Sequence, residues 1–141
     1  MARAGLYGAV LSLLLALPAV AATVEVVVTG VRNDHGDVRV AICSRPRFLQ
    51  PDCEHVGQAP ARRGEVVVRI DNVPPGTWAA QAFHDEDRDG KIGTNLLGLP
   101  TEGLGFSNDA RFRFGPPSFD DAAFRLSPAG GRVRVPLRYS F

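Results

Sequence analysis

Apolar and polar residues alternate along most of the chain, and this period of two is the feature that most limits its fold. The pattern is clearest near the C-terminal end, where Val133, Val135 and Leu137 alternate with other residues, among them two arginines. Successive side chains of a strand point to opposite faces, so such alternation is typical of strands that bury one face. No long segment has the period of an α-helix. The sequence therefore predicts an all-β fold.

Six segments show this alternation, and each is predicted to be a strand. They are 23–30, 37–43, 65–70, 77–83, 122–126 and 132–141, with 111–115 as a weaker seventh. About seven short strands in one domain predict an antiparallel sandwich of two sheets. A small closed barrel is the alternative.

Three features between the strands refine this prediction. The segment NDHGD, 33–37, predicts a hairpin turn between the first two strands. Pro136 lacks a backbone N–H, which favours an edge position for the last strand. Residues from about 85 to 118 are rich in Gly, Asn, Asp and Pro, and they predict one long loop. Loops of this length in a compact domain are unusual and are often functional or held by a ligand.

The N-terminal segment, 1–22, has the layout of a secretory signal peptide. It contains the basic Arg3, an apolar run from Ala9 to Leu17, and the small residues Ala19, Val20 and Ala21. Cleavage is predicted near Ala21 or Ala22. The alternative is a membrane anchor, but the apolar run is shorter than the ~20 residues that a span needs. We therefore predict an exported protein, periplasmic or extracellular, with one β domain (23–141) and no transmembrane span after removal of the leader.

The chain has two cysteines, Cys43 and Cys53. An even number of cysteines in an exported chain predicts a disulfide. Metal ligation is disfavoured because no further cysteine completes a ligand set, and the C-x-x-C spacing of redox pairs is absent. The net charge is +1 and the basic residues are scattered, so no nucleic-acid partner is expected.

The segment HDEDRDGKIGTN, 84–95, has the first half of a calcium-binding loop. Asp85, Asp87 and Asp89 stand at alternate positions, and Gly90 follows. In a D-x-D-x-D-G loop these side chains converge on the ion, and the glycine permits a sharp turn. Lys91 would add its backbone carbonyl. The sequence thus predicts that this loop binds Ca²⁺.

The second half of such a loop is missing. Its twelfth position should be a bidentate glutamate, but Leu96 stands there, and a strand rather than a helix is predicted before the loop. The segment is therefore not an EF-hand. Glu102 is predicted to supply the outside carboxylate, with Asn95 and Glu86 as further candidates. The alternative is a solvated acidic turn without an ion, because exposed carboxylates repel one another only weakly in water.

Four motifs in the second half of the chain resemble a known family. They are the turn Pro74–Trp78, the acidic loop His84–Asn95, the run Gly98–Asn108 and the run Pro116–Ala122. Their order is similar to that of the bacterial domain-of-unknown-function family 2141. The resemblance covers nearly all of the mature chain. It implies an exported immunoglobulin-like or prealbumin-like sandwich, and it implies no activity.

The same resemblance leads us to expect an acidic residue in many relatives where this chain has Gly93. This glycine would remove one ligand from the predicted calcium site.

Catalytic residues are not indicated by the motifs. His84 lies beside an aspartate, but no G-x-S-x-G motif is present, and no spacing pairs it with Ser107 or Ser118. His84 is instead predicted to end a strand and donate to a carboxylate or carbonyl. The predicted role is a non-catalytic binding or accessory module for an unidentified ligand or envelope component. A small periplasmic hydrolase acting on envelope polymers is the alternative.

Overall fold

The computed structural model describes residues 2–5, 8–16 and 20–141, and in it two β-sheets pack face to face. The strands are β1 (Ala22–Val31), β2 (Asp37–Cys43), β3 (His55–Pro60), β4 (Gly64–Val73), β5 (Gly76–Asp85), β6 (Leu104–Phe106), β7 (Ala123–Leu126) and β8 (Gly131–Pro136). A 3₁₀ turn (Ser107–Asp109) and a short helix, α1 (Phe119–Ala122), precede β7. The predicted all-β sandwich is confirmed, with eight strands rather than about seven in the described part of the chain.

The first sheet has the order β4-β1-β8, and the second has the order β3-β2-β5-β6, with β7 also paired to β5. Neighbouring strands are antiparallel as predicted, except that β8 runs parallel to β1, with Val133 opposite Val26. The chain crosses between sheets after β7, so a tight hairpin does not set the direction of β8. Strand β8 forms an edge of the first sheet, which confirms the position predicted from Pro136.

Some local predictions were wrong. The segment 33–37 does not form a hairpin, because β1 and β2 lie in different sheets and the turn crosses between them. The weak seventh candidate, 111–115, is not a strand, and its Phe114 is fully exposed with a φ of 53°. The predicted long loop, about 85–118, is interrupted by strand β6 and the 3₁₀ turn. Strand β3 was not predicted.

The main core lies between the two sheets and consists largely of valines. Its fully buried side chains include Val24, Val26, Val28, Val38, Ile42, Val73 and Val135. Alternate residues of β1 and β2 supply this layer, as the period of two predicts. Gly105 of β6 packs so closely on the first sheet that a Cβ there would lie 2.1 Å from the Pro136 carbonyl oxygen.

A second apolar cluster covers part of the outer face of the second sheet. Its buried members are Cys43, Phe48, Ala79, Leu104, Phe106, Phe119 and Ala122. The predicted disulfide between Cys43 and Cys53 is confirmed, with the two Cα atoms 4.9 Å apart. It closes the segment 44–52, here named the disulfide loop. This loop carries the Phe48 ring, whose centroid lies 5.9 Å from that of Phe106.

The predicted signal peptide falls partly outside the described residues, which omit 1, 6–7 and 17–19. Its described residues, 2–5, 8–16 and 20–21, are exposed and form neither helix nor strand. Strand β1 begins at Ala22, which is buried. In the described ranges, none of the helices has the length and apolar character that crossing a membrane requires.

Candidate metal centre

Four carboxylates converge where strand β5 ends. Each of Asp85, Asp87, Asp89 and Glu102 offers an oxygen, and these oxygens lie within 4.8 Å of one another. Asp85 and Glu102 are buried, whereas Asp87 and Asp89 are exposed. The structure thus brings together the three aspartates and the outside glutamate that the sequence indicated.

The pairing of β5 with β6 explains how Glu102 reaches the loop. These strands are antiparallel, with Phe83 opposite Leu104. Continuing this register by two residues places Asp85 opposite Glu102, and the bond from His84 N to Gly103 O, 2.8 Å, extends the pairing in that direction. The pairing of β5 with β6 therefore brings Glu102, two residues before β6, beside the aspartates.

The loop after β5 folds around its own carboxylates. Asp85 Oδ1 accepts from the Asp89 backbone N–H at 3.1 Å, and Asp85 Oδ2 accepts from the Gly90 N–H at 3.0 Å. Asp87 Oδ1 also accepts from the Asp89 N–H, at 3.2 Å. Positive φ values at Arg88 (57°) and Gly90 (75°) reverse the chain. The glycine thus permits the turn for which the motif requires it.

Glu102 ties the two ends of this loop together. Its Oε1 accepts from the Glu86 backbone N–H at 3.0 Å, and its Oε2 accepts from the Gly93 N–H at 3.1 Å. A Cβ at Gly93 would lie 3.8 Å from Glu102 Oε2 and 2.7 Å from the Thr101 hydroxyl oxygen. An acidic residue at this position would therefore begin beside the carboxylate cluster, where the resemblance led us to expect one.

The guanidinium of Arg39 offsets part of the negative charge. Arg39 Nε donates to Asp85 Oδ2 at 2.7 Å, and the Asp85 side chain is fully buried. Burial by itself raises the pKa of Asp85, but the Gly90 N–H and Arg39 outweigh it and hold this pKa below its usual value. Sequence reasoning missed Arg39, because it lies 46 residues away and looks like an ordinary outward-facing strand residue.

Asp87 behaves in the opposite way. The Asp89 backbone N–H lowers the pKa of Asp87, but desolvation and the neighbouring negative charge of Asp89 outweigh it, so this pKa lies above its usual value. For the two buried members, Asp85 and Glu102, unit charges at the 4.8 Å limit would repel by roughly 3 kcal/mol at an effective dielectric near 20. The cluster thus holds more negative charge than its surroundings neutralise.

The remaining predicted ligands differ in their placement. Lys91 stays at the cluster, since its backbone N–H donates to Asp89 Oδ1 at 2.8 Å. The Glu86 carboxylate instead accepts from Asn33 Nδ2 at 2.9 Å and pairs with Arg32, and it does not belong to the converging group.

Asn95 has a local role of its own. Its Oδ1 accepts from the backbone N–H groups of Leu97 (2.9 Å) and Leu99 (3.0 Å), which stabilises the next turn of the chain. The side chains of Glu86 and Asn95 are therefore held by other contacts, and Glu102 is the outside residue that joins the aspartates.

A model of the family described as "uncharacterized protein conserved in bacteria (DUF2141)" matches residues 26–134. The chain belongs to this family. The match confirms the resemblance seen in the motifs, and the matched range contains the carboxylate cluster and both cysteines. No curated protein and no solved structure matched the chain.

In this DUF2141 domain, His84 holds the ends of several segments together. Its Nε2–H donates to the His35 carbonyl at 2.6 Å, and its Nδ1 accepts from the Tyr139 hydroxyl at 2.8 Å. The tautomer follows from these partners, because a carbonyl only accepts. The predicted donation to a carbonyl at the end of a strand is confirmed.

The two serines considered as nucleophiles have structural bonds. Ser107 Oγ, which is buried, accepts from the Ala80 N–H at 2.9 Å, and Ser118 Oγ caps helix α1 by accepting from the Asp121 N–H at 3.2 Å. Both ring nitrogens of His84 are occupied by other groups, so this geometry does not favour the hydrolase alternative.

Proposed function

We propose that the chain is an exported, non-catalytic β-sandwich domain that calcium stabilises, and that it serves as a binding or accessory module in the periplasm or at the cell surface. The observation that carries the calcium proposal is the convergence of Asp85, Asp87 and Asp89 with Glu102. Asp85 ends β5, Asp87 and Asp89 follow in the next turn, and Glu102 lies at the far end of the same connection, two residues before β6.

The donor set favours calcium over zinc. Calcium takes six to eight oxygen ligands from carboxylates, backbone carbonyls and water, in a flexible geometry. All four converging side chains are carboxylates, whereas structural zinc sites use Cys and His. The proposed set is completed by the Lys91 carbonyl and by water.

The two buried carboxylates, Asp85 and Glu102, keep capacity for an ion. An ionised carboxylate has about four acceptor sites, and Asp85 uses three of them for Asp89, Gly90 and Arg39. Glu102 uses two, for Glu86 and Gly93. The backbone bonds fix the direction of the carboxylates before an ion arrives, which lowers the entropy that ordering them would otherwise cost.

The expected consequence of calcium binding is order in the loop between β5 and β6. An ion that binds only the folded state stabilises it by about 2.7 kcal/mol when its concentration is 100 times the dissociation constant. It also removes the repulsion between the carboxylates. The loop then presents a fixed surface at one end of the second sheet.

Export is supported by the leader-like N-terminal segment and by the disulfide, because disulfides persist mainly in oxidising compartments.

The calcium proposal is tested by thermal unfolding in millimolar calcium and in chelator. We expect a higher melting temperature with calcium, and we expect Asp87→Ala and Asp89→Ala each to remove most of the difference. Asp120→Ala is the matched control, since Asp120 is exposed and pairs with Arg45 away from the loop. An unchanged melting temperature for the wild-type protein at millimolar calcium would overturn the calcium proposal.

A further inference from the structure

The outer face of the second sheet is only partly covered, and a groove of about 800 Å³ lies on the open part. Its floor consists of outward-facing residues from three neighbouring strands, namely Arg39, Ala41, Val56, Gln58, Gln81 and Phe83. The apolar cluster under the disulfide loop closes one side through Leu104 and Phe106. The volume is in the range of sites that take small molecules.

Two loops form the walls of this groove. The disulfide loop contributes Leu49 and Pro51. The segment between β5 and β6, here named the carboxylate loop, contributes Lys91 and Ile92. Apolar side chains are left open to solvent on the floor and on both walls: Val56 is 69% exposed, Leu49 40% and Ile92 39%. An apolar ligand body lying here would remove these side chains from water, which is favourable.

The charges along the groove have one sign. Among the described residues that line it, Arg39 and Lys91 are cationic and none is acidic. The Lys91 ammonium has no ion pair with a described residue. The lining therefore suits an anionic group, and the excess negative charge of the carboxylate cluster lies behind Arg39 rather than in the groove.

The ion pair with Asp85 orients the Arg39 guanidinium for such a ligand. Its Nε is held by Asp85, while its two Nη nitrogens have no hydrogen-bond partner within the described residues, and the side chain is 35% exposed. The guanidinium is thus fixed in direction with one edge free. That edge offers two parallel N–H donors, which suit a planar oxyanion such as a carboxylate.

We propose that this groove binds a small amphiphile, with its apolar chain over Val56 and Phe83 and its anionic head group held by Arg39 and Lys91. The amides of Gln58 and Gln81 provide polar contacts on the floor. The proposal deepens the binding role stated above by giving the ligand its chemistry. It rests on that role but does not require calcium.

The test is calorimetric titration of the intact domain with decanoate and with decyl phosphate, below their micelle concentrations. Both are expected to bind, while acetate and decyltrimethylammonium, which lack the chain or the negative charge, bind at least ~10-fold more weakly. Equal binding of decyltrimethylammonium, or no binding of either anionic amphiphile, would overturn the proposal.

Variants assign the contacts. Lys91→Gln and Arg39→Gln are each expected to weaken decanoate binding about 10-fold, and Val56→Asp should weaken it further by placing a negative charge on the floor. Arg134→Gln is the control, because Arg134 lies on the other sheet and pairs with Glu65. Lys91→Gln leaves the Arg39–Asp85 pair intact, so wild-type affinity in this folded variant would count against the proposal.

The same titration in calcium and in chelator separates this proposal from the calcium proposal. If decanoate binds and calcium does not change the melting temperature, the groove proposal is supported and the calcium proposal is overturned. If calcium raises the melting temperature and decanoate does not bind, the calcium proposal is supported and the groove proposal is overturned.

Discussion

Arg39 Nε lies 2.7 Å from Asp85 Oδ2, and this ion pair joins the carboxylate cluster to the groove on the outer face of the second sheet. The two residues lie on neighbouring strands and are diagonal to one another, because Asp37 is opposite Asp85 and Arg39 is opposite Phe83. The Arg39 guanidinium thus contacts both sites. It offsets the charge of the buried Asp85 carboxylate, and its remaining N–H donors are available to the groove.

Replacing the Arg39 guanidinium should lower the stability of the calcium-free protein and increase its response to calcium. Arg39→Gln leaves the buried Asp85 charge without its cationic partner, and we expect a loss of about 1–3 kcal/mol in the free energy of unfolding without calcium. Breaking fully buried pairs costs more, but Arg39 is partly exposed. Because a competing cation is gone, calcium should raise the melting temperature of this variant more than that of the wild type.

The measurement is thermal unfolding of both proteins with calcium and with chelator, and Arg134→Gln serves as the charge-matched control. A calcium-induced rise in the Arg39→Gln protein no larger than the wild-type rise would contradict the competition between the guanidinium and the ion.

Substitutions at Glu102 and Glu86 distinguish a specific calcium site from an effect of overall negative charge. Glu102→Gln loses one of its two bonds from backbone N–H groups, which costs about 1 kcal/mol, but it also relieves repulsion with the aspartates, so the stability of the calcium-free protein should change little. The calcium-induced rise in melting temperature should largely disappear. Glu86→Gln removes the same charge from a side chain that points to Arg32 and Asn33, and it should keep most of that rise.

These two variants are compared in the same calcium titration, read by melting temperature. Equal loss of the calcium response in both would mean that overall charge, rather than the convergence at Glu102, determines the effect.

The alternation of apolar and polar residues predicted the strands that bury one face. It did not predict strands in which the alternation is interrupted or too short to be seen. In strand β3 the inward-facing position 57 is a glycine, because a Cβ there would lie 3.0 Å from the Ile70 side chain. The alternation of apolar residues is therefore interrupted in this strand. Strand β6 has only three residues, all buried, so no period is visible. The parallel pairing of β8 with β1 depends on how the sheets pack, which local pattern does not encode.

The candidate site divides in the same way. The aspartates are visible as a spacing within one loop, and Glu102 could be named because it follows shortly after. Arg39 could not be named, because its proximity to Asp85 comes from the register of β2 on β5. The groove was likewise not predictable, since three strands and two loops that are distant in sequence line it.

The disulfide should stabilise the domain by fixing the disulfide loop. Cys43 and Cys53 are ten positions apart, and in the chain-entropy model closing such a loop contributes roughly 2–3 kcal/mol. The loop also carries Phe48, whose ring packs against those of Phe106 and Phe119. Urea unfolding of Cys43→Ala/Cys53→Ala should therefore show a lower midpoint than the wild type, and a matching midpoint would show that Phe48 packing alone holds the loop.

Two glycines with similar backbone conformations should respond very differently to alanine. Gly36 (φ 68°) and Gly98 (φ 76°) both have left-handed backbones. A Cβ at Gly36 would lie 1.9 Å from the Asp85 carbonyl oxygen, whereas a Cβ at Gly98 would have no atom within 4 Å apart from those of the adjoining residues. Gly98→Ala should therefore cost only the backbone strain, about 1–2 kcal/mol.

Gly36→Ala adds a clash with backbone that cannot rotate away, so we expect a loss of about 3–5 kcal/mol. It should also weaken the calcium response, because relieving the clash displaces Asp85 at the start of the carboxylate loop. Urea unfolding gives the stability of both variants, and the melting temperature with calcium and chelator gives the response. Similar losses in the two proteins would mean that the turn at Gly36 is not packed on the end of β5.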